Sequence, residues 1–264
     1  MTESAPEPAV HIESAPGISG VLIVTLDNPP VNAATLAQFK RLRGFFSNVT
    51  ETHPEAACIV LTAKGKVFCA GADVRELSDR TTLSQMARSV VSRETFDAIR
   101  RCPVPVIAAV NGAAVGAGAV IASCCDIVVA SERATFSLPE ILVGVMGGTR
   151  HMQRILPDKM VRYLALTGRR VDATTLERFG AAQLVTPHDA LLDEALKLAG
   201  EIAQHSPVAA RLMKEAINLT EDMPVNEGYR VEQLFTTLAS SLPDSKEAAL
   251  AFLEKRKPVW GKGE

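Results

Sequence analysis

Apolar runs and helical patterns alternate along the first half of the chain, and turn residues such as Asn28-Pro29-Pro30 separate them. The run 57–63, ACIVLTA, is apolar almost throughout, which is typical of a strand buried on both faces. Apolar residues at helical spacing predict helices at about 36–49 and 83–101. Strands that alternate with helices favour a largely parallel sheet, so the pattern predicts an α/β fold. The predicted strands are residues 20–27, 57–63, 104–110 and 126–130, with a short fifth at 135–136.

The second half has a different pattern, which is mostly helical from residue 158 onward. Ser206-Pro207 predicts a helix start, because a capping hydroxyl precedes a proline at the first helical position. Pro224 and Pro243 separate the last two predicted helices. The first 16 residues are rich in Pro, Ala, Ser and Glu and predict a disordered leader. We therefore divide the chain into a leader (1–16), a core (17–200) and a C-terminal helical region (201–264).

Composition limits the classes of protein that this chain can represent. It has 264 residues, 47% of them hydrophobic, which suits one large globular domain. The formal net charge of -2 gives no basic surface for nucleic acid. The cysteines lack the spacing of a metal site, so we expect no metal and reduced thiols in a cytoplasmic protein. They are Cys58, Cys69, Cys102, Cys124 and Cys125.

One apolar stretch, 104–125, is about as long as a membrane-spanning helix. Pro105 lies at its start and Asn111-Gly112 interrupts it, and its second half is mostly Ala and Gly. A buried strand, a tight loop and a buried helix explain this stretch better, so we expect no membrane partner.

The common catalytic motifs are absent. Gly116-Ala117-Gly118 matches the first half of a dinucleotide-binding GxGxxG, but Ile121 stands where the third glycine is needed. The sequence contains no phosphate-binding GxxxxGK[ST], no HExxH and no GxSxG. These absences argue against a nucleotide-binding protein, a zinc hydrolase and a serine hydrolase.

Two small-residue segments that each follow an apolar strand are more informative. One is residues 68–73, FCAGAD, and the other is residues 111–118, NGAAVGAG. A helix predicted to begin near Ala117 would point free N–H groups and its positive dipole end outward. Two such segments side by side would present two N–H donors to one oxygen, as in an oxyanion hole. Small residues in both segments are equally consistent with close packing of strand against helix.

Five ordered segments of the sequence resemble the enoyl-CoA hydratase/isomerase (crotonase) family. VFCAGADVREL resembles the family segment FxAGAD, and PVPVIAAVNGAAVGAG resembles KPxIAAVNGxAxGGG. SERATFSLPEILVGV, GGTRHMQRILP and LTGRRVDATTLERFGAAQLV match three further segments in the same order. The match covers nearly the whole chain, from about residue 20 to 260.

The resemblance implies a spiral of ββα turns followed by a helical C-terminal region used for trimerisation. It also implies that the protein binds an acyl-CoA thioester and stabilises its enolate, with coenzyme A as part of the substrate and no separate cofactor. By residue-to-residue transfer, the oxyanion donors are the N–H groups of Ala72 and Ala117, where the family usually has Gly at the second position. The implied substrate-binding residues are Ala70, Gly71, Ala72, Asp73, Val74, Gly116, Ala117 and Val120.

Two glutamates flank the substrate in a typical hydratase of this family, and this chain retains one of them. Glu140, in LPEILVG, matches the first. Val120 stands at the position of the second, 20 residues earlier. Hydration needs a water that is held and activated, and Val120 can do neither. Isomerisation of a double bond needs one base and no water, so Glu140 alone could perform it.

We therefore expect an enzyme that moves a proton next to a thioester, either by isomerising a double bond or by hydrating an unusual enoyl-CoA. A family member that only binds acyl-CoA is the alternative. An RNA-binding role is disfavoured by the balanced charge. The resemblance also implies a homotrimer, or a homohexamer of two trimers.

Overall fold

The computed structural model describes residues 9–76 and 81–261 and contains two mixed sheets. Most strands are short and apolar, and those at the centre of the larger sheet are almost fully buried. In the described residues the strands are β1 (Ala9–Ser14), β2 (Val21–Asp27), β3 (Cys58–Ala63), β4 (Val67–Cys69), β5 (Val106–Val110), β6 (Ala113–Val115), β7 (Ile127–Ser131), β8 (Thr135–Ser137), β9 (Arg170–Asp172) and β10 (Leu184–Thr186).

Helices fill the remaining connections and form the C-terminal region. Three short 3-10 turns accompany them, at Val74–Glu76, Pro139–Val143 and His188–Ala190. The α-helices are α1 (Leu36–Thr52), α2 (Thr82–Arg100), α3 (Ala117–Cys124), α4 (Thr149–Met152), α5 (Asp158–Thr167), α6 (Ala173–Arg178), α7 (Leu191–Ile202), α8 (Pro207–Thr220), α9 (Val225–Ser241) and α10 (Pro243–Leu253).

The strand order confirms the expected spiral of ββα turns. The larger sheet has the order β1-β2-β3-β5-β7-β10, and the smaller has the order β4-β6-β8-β9. In each of the pairs β3/β4, β5/β6 and β7/β8, the first strand joins the larger sheet and the second joins the smaller one. All neighbours are parallel except β1 beside β2 and β9 beside β8. Each of these three turns therefore adds one strand to each sheet.

Both faces of the larger sheet are covered. One face packs against the smaller sheet and the helices α1 to α3, in a core that includes Phe39, Phe46 and Phe136. The other face packs against α7 through Leu191 and the small residues that follow it. Burial on both sides explains why β3 and β5 are apolar at almost every position.

Sequence reasoning placed most elements of the core correctly, but it missed the short strands β4 and β6 and misplaced three further features. The expected disordered leader is wrong for residues 9–14, which form β1 and pair with β2; residues 1–8 of that leader lie outside the described residues. The region after residue 158 also contains the short strands β9 and β10, which carry too few apolar residues to give a recognisable period. Helix α7 continues to Ile202, past the boundary drawn at 200, and packs on the core sheet.

The C-terminal region begins as the sequence predicts. The Ser206 hydroxyl accepts a hydrogen bond from the N–H of Ala209 and caps α8. Pro243 opens α10 at its first turn. No helix in the described residues is both long and apolar enough to span a membrane. The segment 104–125 contains the expected strand (β5) and helix (α3), and the short strand β6, which was not expected, lies between them.

Candidate active site

Three neighbouring parallel strands of the smaller sheet bring the predicted catalytic residues to one edge. Strand β6 lies between β4 and β8 and is parallel to both. Ala72 comes three residues after β4, Ala117 two residues after β6, and Glu140 three residues after β8. Because parallel strands end at the same edge of a sheet, residues from three distant parts of the sequence converge there. The carboxyl edge of a parallel sheet is a common place for a ligand.

The two small-residue segments lie directly against each other. Gly71 has a φ of +94°, and a methyl group added to it would lie 3.1 Å from the carbonyl oxygen of Val115 and 3.9 Å from the backbone nitrogen of Ala117. A methyl group on Gly118 would lie only 2.3 Å from the carbonyl oxygen of Cys69. Small residues are therefore needed here for close backbone packing, and the same packing places the two segments side by side. The interpretation of these residues as close packing of strand against helix is confirmed.

The loop after β2 holds the first segment in place. The N–H of Ala70 donates to the carbonyl of Val31 (3.1 Å), and the N–H of Asp73 donates to the carbonyl of Ala34 (3.0 Å). The N–H of Ala34 in turn donates to the carbonyl of Gly71 (2.7 Å). This pattern occupies the backbone on either side of Ala72, whose own N–H has no partner among the described residues.

The second segment presents its donor at the start of a helix. Gly116 precedes α3 with a φ of +52°, and its N–H donates to the carbonyl of Ser137 (2.9 Å). The first N–H groups of a helix have no partner within the helix. That of Ala117 has none elsewhere in the described part of the chain. Two N–H groups without a partner among the described residues therefore lie on adjacent segments.

Glu140 lies over the second segment. It is the second residue of the 3-10 turn after β8, and a methyl group on Gly116 would lie 2.5 Å from its Oε1. Its Oε2 is buried and has no hydrogen-bond partner among the described atoms. Burial raises the pKa of Glu140 above its ordinary value, because desolvation disfavours the charged form. A half-buried carboxylate with a raised pKa is equipped to exchange a proton.

The position where the family has its second glutamate is apolar and tightly packed. Val120 lies one turn into α3 and is 2% exposed. A methyl group on Gly148 would lie 2.8 Å from Val120 Cγ2 and 3.0 Å from Leu138 Cδ2. The backbone of Gly148 therefore packs directly against the side chains of Val120 and Leu138. Sequence reasoning identified Val120 but missed Gly148 and Leu138, for which the GG pair at 147–148 was the available signal.

The other predicted binding residues lie in the first segment or directly after it. Ala70 and Ala72 are half-buried, and Gly71 is buried. Asp73 is buried, and its carboxylate accepts hydrogen bonds from the Arg75 guanidinium, which holds the pKa of Asp73 below its ordinary value. Val74 opens the 3-10 turn that follows. Asp73 thus orients Arg75, which is exposed.

An exposed apolar rim follows Glu140 and was not anticipated from sequence. Side chains in this stretch would be expected inside a core, yet here they face outward beside a catalytic candidate. Exposed apolar surface next to a site is a common feature of binding surfaces. The rim consists of Ile141, Leu142, Val143 and Met146.

Other features of the described residues do not compete with this site. No group of three or more His, Cys, Asp or Glu in the described ranges could hold a metal ion. A cavity of about 880 Å³ lies elsewhere, between the core and α8, and none of its lining residues belongs to the site above. Its mixed polar and charged lining contrasts with the apolar rim beside Glu140.

Comparison with known proteins identifies the family. The sequence model of the enoyl-CoA hydratase/isomerase family matches residues 17–263. A (7aS)-7a-methyl-1,5-dioxo-2,3,5,6,7,7a-hexahydro-1H-indene-carboxyl-CoA hydrolase of Mycobacterium tuberculosis is 35% identical, over 97% of this chain and 99% of its own. A mevalonyl-coenzyme A hydratase of Aspergillus fumigatus is 34% identical, over 91% of each chain.

Solved structures agree in fold. The crystal structure of an enoyl-CoA hydratase from Bacillus anthracis superposes with a TM-score of 0.91 at 29% identity, covering 97% of this chain and 99% of the other. That of an enoyl-CoA hydratase from Mycobacterium smegmatis gives 0.90 at 28% identity, covering 96% and 99%.

Proposed function

Because this chain belongs to the enoyl-CoA hydratase/isomerase family, we propose that it is an acyl-CoA enzyme in which Glu140 is the only acid/base of the site. The observation that carries the proposal is the asymmetry of the site. The Glu140 carboxylate lies against Gly116, and buried Val120, packed with Leu138 and Gly148, stands where a second carboxylate is expected.

In the proposed reaction, the thioester oxygen accepts hydrogen bonds from the N–H groups of Ala72 and Ala117. Glu140 takes a proton from the carbon next to the thioester, and the two donors stabilise the negative charge that moves onto the oxygen. With a 3-enoyl-CoA, this charge extends through the double bond. Glu140 then returns the proton to the far carbon, which gives the 2-enoyl-CoA. The step consumes no water, and Glu140 and the two N–H donors perform it without a metal. No separate cofactor is needed, because coenzyme A is part of the substrate.

The raised pKa of Glu140 supports this role. A base works best when its pKa is close to the pH at which it operates. Since burial is the cause of the shift, the carboxylate remains a stronger base than an exposed glutamate would be. The five buried, unpaired cysteines fit a reducing compartment, so a cytoplasmic location is part of the proposal. So is a homotrimer or homohexamer.

Purified protein tests the proposal with 3-enoyl-CoA and crotonyl-CoA, followed by ultraviolet absorbance and mass. We expect isomerisation of the first and little hydration of the second. Glu140→Gln should lower the isomerisation rate by about 10²–10⁴. Hydration of crotonyl-CoA by the parent with a kcat of about 10³ s⁻¹ would show that a second glutamate is dispensable. Binding of both substrates without turnover would favour a family member that only binds acyl-CoA.

Val120→Glu extends the test to the missing carboxylate. We expect it to increase hydration of crotonyl-CoA relative to isomerisation, because a second carboxylate can hold and activate water. Val120→Gln is the matched control, since it has nearly the same shape and cannot act as a base. If both variants change the product ratio equally, the effect comes from altered packing against Gly148.

A hydrolytic reaction on a ring-containing oxo-acyl-CoA is the second candidate. It is favoured by two relatives whose names describe an indene-carboxyl-CoA hydrolase, at 35% and 34% identity to this chain. The exposed apolar rim at 141–146 offers surface for a broad acyl group. Incubation with a bicyclic dioxo-acyl-CoA distinguishes the two candidates, because hydrolysis adds the mass of one water and isomerisation adds none.

A further inference from the structure

The exposed apolar rim connects the candidate active site with the end of α5. It begins directly after Glu140, and its second residue, Leu142, is 69% exposed. A methyl group on Gly168, the residue that follows α5, would lie 2.9 Å from both Cγ and Cδ1 of Leu142. The rim therefore extends from the catalytic candidate to the backbone at residue 168.

Arg169 lies at this far end of the rim. It follows Gly168 in sequence, and the antiparallel pairing of β9 with β8 places Arg170 opposite Ser137. One step further along the same register, the backbone at residue 169 comes alongside Leu138, which packs against Gly148 beside the site. Two independent contacts thus place Arg169 next to the candidate active site.

The Arg169 guanidinium is exposed and oriented by one neighbour. Its Nη1 donates to the hydroxyl of Tyr163 (3.1 Å), and its Cζ lies 5.9 Å from the centre of the Tyr163 ring. A guanidinium has five N–H donors, and those of Arg169 that do not bind Tyr163 have no acceptor among the described atoms. Arg169 can therefore donate to a ligand without breaking its contact with Tyr163.

No carboxylate in the described residues neutralises Arg169 by forming an ion pair with it. The nearest acidic residues in sequence have other partners. Asp158, at the start of α5, pairs with Arg162 (2.7 Å), and Asp172 accepts a hydrogen bond from the N–H of Thr175 (2.8 Å) at the start of α6. An unpaired cation thus lies at the end of an apolar surface that begins at Glu140.

We propose that the substrate is an acyl-CoA whose acyl group ends in a carboxylate, and that Arg169 binds this carboxylate. The inference rests on the proposed function, because it assumes that the thioester oxygen lies at Ala72 and Ala117. The apolar rim then covers the middle of the acyl chain. A guanidinium matches a carboxylate in shape and charge and can donate two parallel hydrogen bonds to it.

Two 3-enoyl-CoA substrates of equal length, one ending in a methyl group and one in a carboxylate, test the proposal. We expect a lower KM for the second at a similar kcat, because the contact is the same in the ground state and the transition state. Arg169→Gln should raise KM for the carboxylate substrate by about fivefold to tenfold and leave the methyl-ended substrate unchanged. Arg169→Lys keeps the charge and should restore part of the difference. Arg162→Gln, which removes an exposed arginine from the same helix, should behave like the parent.

Binding of saturated acyl-CoAs, measured by titration calorimetry, separates this inference from the proposed reaction. Tighter binding of the dicarboxylic acyl-CoA than of the monocarboxylic one, lost in Arg169→Gln, would support the role of Arg169 even if no isomerisation occurred. Isomerisation of both substrates with equal KM and equal affinity would overturn it and leave the proposed function intact. It would also be overturned by equal losses in Arg169→Gln and Arg162→Gln. A changed sedimentation coefficient in Arg169→Gln, with both ligands weakened alike, would instead assign Arg169 to a contact between copies of the chain.

Discussion

At the scale of single residues, Gly116 and Glu140 share one small volume. The Oε1 atom of Glu140 lies where a side chain at position 116 would begin. The absence of that side chain brings the carboxylate next to the N–H of Ala117. The position of the Glu140 carboxylate thus depends on Gly116, which has no side chain.

Gly116→Ala is expected to lower kcat on acyl-CoA by about 10², because a displacement of about 1 Å at a catalytic group costs that much. The added methyl group would lie 2.5 Å from Oε1 and push the carboxylate away. Gly65→Ala is the control, since Gly65 also has a positive φ but open space around it. Equal loss of activity in both variants would mean that backbone strain, and not contact with Glu140, is responsible.

The raised pKa of Glu140 makes stability depend on pH. Glutamate in an unfolded chain has a pKa of about 4.3. Above that pH the unfolded state gains more from ionisation than the folded state does, so folding is penalised. Glu140→Gln removes the penalty and should be more stable than the parent at pH 7, with no such gain below about pH 4. Urea unfolding from pH 4 to 8 measures the difference, and a gain that is constant across this range would contradict the assignment.

At the scale of elements, an ion pair between the buried Lys214 and the partly exposed Asp126 helps to hold α8 against the core. Lys214 is 7% exposed; its Nζ donates to Asp126 (2.7 Å) and to the carbonyl of Val104 (3.1 Å). Asp126 also accepts a hydrogen bond from the N–H of Val106, at the start of β5. Burial raises the pKa of Asp126 despite the lysine beside it. The pair thus joins the C-terminal helices to the amino ends of the central strands.

Lys214→Met is expected to destabilise the protein by about 1.5–3 kcal/mol, because it removes the hydrogen bonds of the buried Lys214 ammonium to Asp126 and to the Val104 carbonyl. Lys197→Met is the matched control. Lys197 forms an exposed pair with Glu194 at 3.7 Å, and losing it should cost under about 1 kcal/mol. Denaturant midpoints report both values. An equal loss of stability in the two variants would contradict the role assigned to the Lys214 hydrogen bonds.

At the scale of the whole molecule, the last two helices are only partly covered by the rest of the chain. Leu234 on α9 and Phe252 and Leu253 on α10 are 70%, 83% and 77% exposed. Exposed apolar residues on this scale are typical of a surface that another protein covers. The expected homotrimer or homohexamer would cover it with further copies of the chain, because equivalent head-to-tail contacts close into a ring.

Phe252→Glu should shift the protein toward smaller species in sedimentation velocity, because it places a charge on this apolar surface. Leu83→Glu, at a 79% exposed apolar residue on α2 outside the C-terminal region, serves as the control. A parent that sediments as an active monomer would exclude the expected assembly. A shift in both variants alike would show that the contact surface is not confined to α9 and α10.

The sequence by itself determined the longer strands and helices of the core and the identity of the catalytic candidates, but not the short strands β4 and β6. Strands such as 57–63 and helices such as 36–49 follow from local apolar patterning, which is a property of neighbouring residues. Glu140 and Val120 were recognisable because the family motifs contain them at fixed spacing. The prediction of a disordered leader was wrong for residues 9–14. These residues form β1 by pairing with β2, and local patterning does not predict such a contact.

Tertiary structure alone decided what surrounds those candidates. The free N–H groups of Ala72 and Ala117 become neighbours because β4 and β6 are parallel and adjacent, although 45 residues separate them in sequence. The raised pKa of Glu140, the wall of Gly148 and Leu138 against Val120, and the position of Gly168 against Leu142 all arise from packing of distant segments. Desolvation and the pairing of polar atoms depend on every group within a few ångströms, and that environment exists only in the folded chain.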